Sequence, residues 1–178
     1  MEERNETNSY GGFLFPRDSI PVEVPDLRIG DEDTWVVVDA SNGQRQVIVA
    51  LPRSGADFAR GDAPFVFVQA WRLTSEPSDR QLEAAMVRSV VPLGATEVTT
   101  GPALDIPVDG AWELECALPL QGGIWSGSLV WLRSTVQGMD MVFAVGAAFE
   151  DPQDTQRVRA CVGRVVADIS QLCKESIG

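Results

Sequence analysis

The feature that most limits the fold is the stretch from Trp112 to Phe149. Trp112, Leu114, Cys116, Leu118 and Leu120 alternate with Glu113 and Glu115, the pattern of a strand with one wet face. Gln121-Gly122-Gly123 then leads into Ile124–Val136, and Gln137-Gly138 leads into Met139–Phe149. In the last run Met139, Met141, Phe143, Val145, Ala147 and Phe149 share a face. Strands joined by connections this short must be antiparallel, so a three-stranded meander is predicted. Its apolar faces need cover, and the sequence offers two amphipathic helices. Ser78 with Gln81 three residues later forms a capping box, followed at helical spacing by Leu82, Ala85, Met86, Ser89 and Val90. Pro92 and Gly94 close that helix. Asp151-Pro152 opens a second helix, whose apolar stripe runs from Val158 through Cys161, Val165 and Ile169 to Cys173.

Upstream, Thr34–Ala40 and Gln44–Leu51 flank Ser41-Asn42-Gly43, and Asn-Gly suits the positive φ of a hairpin turn. Phe65–Leu73 is apolar on both faces at its start and predicts a strand covered on both sides. Thr96–Thr100 and Leu104–Val108 read as short strands. Residues 1–33 combine an acidic surplus with Gly11, Gly12, Pro16, Pro21, Pro25 and Gly30. They predict an extended arm anchored through Phe13, Phe15, Ile20, Val22 and Val24. Proline removes backbone donors, so the arm is expected to add little to a central sheet. The expected architecture is α+β: an antiparallel sheet of about six or more strands against two helices. It comprises one domain over 34–178 behind the arm at 1–33.

This order resembles the PsbP-like α/β/α sandwich superfamily, and within it the LpqN-type and DcrB-related branch. The resemblance rests on the strand Phe65–Leu73, the helix Ser78–Val91 with Pro92-Leu93-Gly94, the strand ending in Phe143-Ala144-Val145-Gly146-Ala147, and the helix from Asp151-Pro152 to Ala167-Asp168-Ile169. It covers roughly residues 34–170 as an order of elements without a diagnostic motif. It implies a non-enzymatic accessory role of the kind played by assembly factors, secretion chaperones and envelope lipoproteins. The lipoprotein branch fits less well, because a signal peptide and a lipidated N-terminal cysteine are not read here.

The chemistry points the same way. The 178 residues include no histidine, which removes the commonest general base and metal ligand. Cys161 and Cys173 sit twelve residues apart on one helix, about 18 Å along its axis, too far to share a zinc ion. Cys116 and Cys161 fall on apolar faces, where cysteine acts as a small hydrophobe. Gly122-Gly123-Ile124-Trp125-Ser126-Gly127 lacks the lysine of a phosphate loop and precedes a strand. No catalytic, cofactor-binding or metal-binding residue is therefore assigned, and no enzyme activity is expected.

The net charge of −12 disfavours nucleic acid and anionic membrane surfaces. An acidic start, Met1-Glu2-Glu3, and three widely spaced cysteines predict a cytoplasmic protein with reduced thiols. These readings favour a non-catalytic adaptor, assembly or secretion chaperone, or inhibitor that binds a protein partner. A homodimer is compatible with them. The candidate partner-binding residues are Trp125 and Trp131, expected to be exposed, Glu113 and Glu115 on the wet strand face, and the acidic turn Asp31-Glu32-Asp33. The alternative is a binder of a small apolar ligand or lipid, with a cavity lined by residues such as Met86, Met141 and Phe143. A histidine-free enzyme using a perturbed carboxylate is the third reading.

Overall fold

The computed structural model describes residues 7–10, 13–16, 19–22, 35–39, 48–52, 64–103, 106, 108–120 and 123–175. Within them the strands are β1 (Thr7–Tyr10), β2 (Phe13–Pro16), β3 (Ser19–Val22), β4 (Trp35–Asp39), β5 (Ile48–Pro52), β6 (Phe65–Leu73), β7 (Thr96–Pro102), β8 (Gly110–Leu120), β9 (Gly123–Val136) and β10 (Met139–Phe149). The helices are α1 (Asp79–Val90) and α2 (Thr155–Glu175). One sheet of eight strands runs β4-β5-β6-β10-β9-β8-β7, with β3 also paired to β6. Every pairing in it is antiparallel. This is the α+β arrangement expected from the alternating runs, with the meander β8-β9-β10 as its larger part.

Two local signals behave as read. The Ser78 hydroxyl accepts from the Gln81 backbone N–H at 3.2 Å, while the Gln81 side chain accepts from the Ser78 N–H at 2.8 Å. That reciprocal box starts α1. Gln137 and Gly138 both adopt positive φ, 52° and 77°, which lets two residues reverse the chain between β9 and β10.

The central strands β6, β10 and β9 are largely buried on both faces because one helix lies on each. Under α2, Val66, Val68, Leu132, Phe143 and Val145 pack with Val158, Cys161, Val165 and Ile169. Under α1, Trp71, Leu114, Leu129, Trp131 and Val142 pack with Leu82, Ala85 and Met86. The β1–β2 hairpin forms a separate two-stranded unit in contact with α1. Among the described residues, no helix is long and apolar enough to cross a membrane.

Three expectations are corrected. The arm does enter the sheet: Ser19–Val22 pairs with Leu73–Ala70, beside β5, which pairs with Val68–Val66 on the same edge of β6. Pro21 is tolerated because this short strand lies at the sheet margin. Ile20, expected as an anchor, is 44% exposed, whereas Val22 packs against the α2-side core. Finally, Ile106 and Val108 are not in a strand.

Candidate functional site: an apolar cavity under the end of α1

The register across the α1 face explains the site. Gln69 of β6, Ala144 of β10, Trp131 of β9 and Trp112 of β8 form one row across the sheet. Phe67, Gly146, Leu129 and Leu114 form the next, and Phe65, Ala148, Gly127 and Cys116 the one after. Beyond Val142, the central strand thus contributes only Ala144, Gly146 and Ala148 to these three rows, between much larger neighbours. A column of small residues between large ones leaves a trough. Phe67 leans into it so closely that a side chain on Gly146 would collide with its ring.

The helix cannot fill the rest. Twelve residues of α1 span about 18 Å, whereas the fourteen of β9 span about 46 Å. Where α1 ends, Ser89, Val90 and Leu93 roof a cavity of about 220 Å³ over the trough. Its walls include Phe65, Phe67, Trp71, Leu118, Leu129 and Trp131, and no charged side chain lines it among the described residues. The volume exceeds the roughly 150 Å³ that accommodates benzene in an engineered core cavity and approaches the roughly 300 Å³ at which drug-sized pockets begin. Three residues with hydroxyl or amide side chains line it, Gln69, Ser89 and Ser128. The Ser89 hydroxyl donates to the Met86 carbonyl at 2.6 Å, which leaves its oxygen able to accept. Gln69 is 5% exposed and lies at the floor.

The thiols on these faces are poor nucleophiles. Burial pushes Cys116 and Cys173 up from the ordinary range and pushes Cys161 up to about 11. Nucleophilic chemistry needs the thiolate, which such burial disfavours.

The sequence-derived candidates separate. Trp125 and Trp131, expected on the surface, are 6% and 1% exposed. Alternation alone sent Trp131 outward, but α1 covers that second face, and its ring sits 5.4 Å from Trp71. Trp125 packs against Phe65 at 6.3 Å, and its Nε1 is buried without a hydrogen-bond partner among the described residues. Glu113 and Glu115 are exposed as expected. They border a wider groove of about 660 Å³ on the α2 face, opposite Val162 and Arg159. Asp31, Glu32 and Asp33 lie outside the described residues. A cavity between sheet and helix does exist, but Met86, Met141 and Phe143 are built into the two cores and do not line it. The missed signal was the small-residue column Ala144, Gly146, Ala148, legible as a period-two pattern opposite the large face of β10.

No family model and no curated protein matches this chain. Among solved structures, the chain is similar to LpqN of Mycobacterium tuberculosis, a protein involved in cell envelope biogenesis. The TM-score is 0.59 at 16% identity, over 84% of this chain and 87% of LpqN. At that identity the likeness establishes a shared fold, and it agrees with the LpqN-type element order read from the sequence.

Proposed function

We propose that this chain is a non-catalytic binding protein whose recognition site is the cavity beneath the end of α1, and that its occupant is a small apolar molecule. The observation that carries this reading is a concave site with aromatic and aliphatic walls, a few polar groups and no charge. The absence of histidine and the elevated thiols supply no ready nucleophile–base pair, which favours binding over turnover. Native mass spectrometry of the chain isolated from its own cells tests the proposal. The expected result is an adduct of one apolar compound per chain, lost on extraction with organic solvent. Turnover of a substrate by the adduct-free protein would contradict it.

A protein partner is the second reading. Val91 and Leu93, beside the cavity, are 62% and 43% exposed, and an apolar rim around an apolar recess fits an anchoring side chain from a partner. Copurification of a stoichiometric protein, released when Leu93 is changed to Asp and unaccompanied by a small adduct, favours it over the first.

A further inference from the structure

The buried amide of Gln69 gives the cavity a polarity that its walls alone do not. Gln69 occupies the middle of β6, opposite Ala144, with Phe67 and Trp71 on either side of it on the same face. A strand residue there would ordinarily be apolar, as Val66, Val68 and Ala70 are on the other face. Instead a side chain with two donors and one carbonyl acceptor is held 5% exposed at the floor of an apolar recess. Its amide makes no hydrogen bond among the described residues and is not one of their fully enclosed unpaired groups, so it keeps accessible surface within the cavity it lines. The apolar walls offer such an amide no match, and polar side chains with so little exposure ordinarily find one. The small side chain of Ala144 beside it leaves the amide facing the cavity.

We propose that Gln69 is the specificity-determining residue of this site, and that the cavity selects a compact apolar ligand bearing one uncharged hydrogen-bonding group, such as an alcohol, ester or amide. This rests on the cavity reading above and adds the chemistry of the occupant. The ligand's hydroxyl or carbonyl meets the Gln69 amide, with the Ser89 oxygen available as an acceptor near the roof. An ionised carboxylate is rejected, because no cationic side chain among those lining the cavity offsets its desolvation. A purely apolar ligand enters but leaves the amide unmatched.

The test compares three probes of similar size by isothermal titration at neutral pH: ethylbenzene, benzyl alcohol and benzoate. For the unmodified chain, benzoate binds weakest. Gln69→Leu keeps the volume but deletes the amide, and it weakens benzyl alcohol about tenfold relative to ethylbenzene, the loss expected for one hydrogen bond. An unchanged ratio in that variant overturns the assignment, as does benzoate binding as tightly as benzyl alcohol. If Gln69→Leu fails to fold, Gln69→Met takes its place, and the order of the three probes on the unmodified chain is decisive by itself. Binding of none of the three overturns the cavity reading itself, a result distinct from binding without selectivity.

Discussion

A side chain at Gly146 would collide with Phe67, so the shape of the cavity floor depends on one missing methyl group. Gly146→Ala should destabilise the fold by about 1–3 kcal/mol in urea unfolding, the usual cost of forcing volume into a packed site. Adding Phe67→Leu should recover part of that loss, because the two side chains compete for one space. A fully additive double variant would separate them. The buried thiol of Cys161 makes a second residue-level prediction. Its folded value of about 11 lies above the ordinary 9.0, chiefly through burial and despite the opposing Arg164 charge. A raised thiol value means that stability is intact below pH 9 and is lost as pH rises towards 11. The full loss from this group is roughly 2–3 kcal/mol. Denaturation at pH 8 and pH 10.5 should therefore show a smaller pH-dependent loss in Cys161→Val than in the unmodified chain.

Between elements, the join that positions the roof of the cavity is Arg133. From β9 it donates to Asp140 at 2.7 Å and to the Pro77 carbonyl at 2.7 Å, and reaches Asp79 at 3.2 Å. The start of α1 is thereby tied to the β9–β10 hairpin. Arg133→Met should cost about 1–3 kcal/mol by removing charge-assisted bonds in a part-buried setting. Asp79 is 64% exposed, so Asp79→Asn should cost under about 0.5 kcal/mol. Equal losses in the two variants by chemical denaturation would show that the surface pair, not the link to Asp140 and Pro77, holds α1. At this scale the sequence was highly legible. The capping box, the Gln-Gly turn chemistry and the stripe of α2 are local signals, and each predicts its element from neighbouring residues, whereas the Asn42-Gly43 turn lies outside the described residues. The pairing of β3 with β6 was not legible, since a proline-bearing segment gains its ladder only from a distant strand.

For the whole molecule, the sandwich followed from the sequence because two amphipathic helices and one meander leave few other ways to bury apolar surface. The site did not follow. Whether Trp131 faces solvent depends on which sheet face α1 covers, and that is fixed by packing across the sheet instead of by alternation along β9. The trough likewise arises only when register sets Ala144, Gly146 and Ala148 between larger residues of β6 and β9. The central claim is that this trough is a ligand site, and the most direct measurement is the thermal midpoint with and without saturating ethylbenzene, for the unmodified chain and for Ala144→Leu, which fills the cavity. A ligand that binds only the folded state raises the midpoint by mass action. The account predicts a rise for the unmodified chain and none for the filled variant; no rise in the former, or equal rises in both, would contradict it.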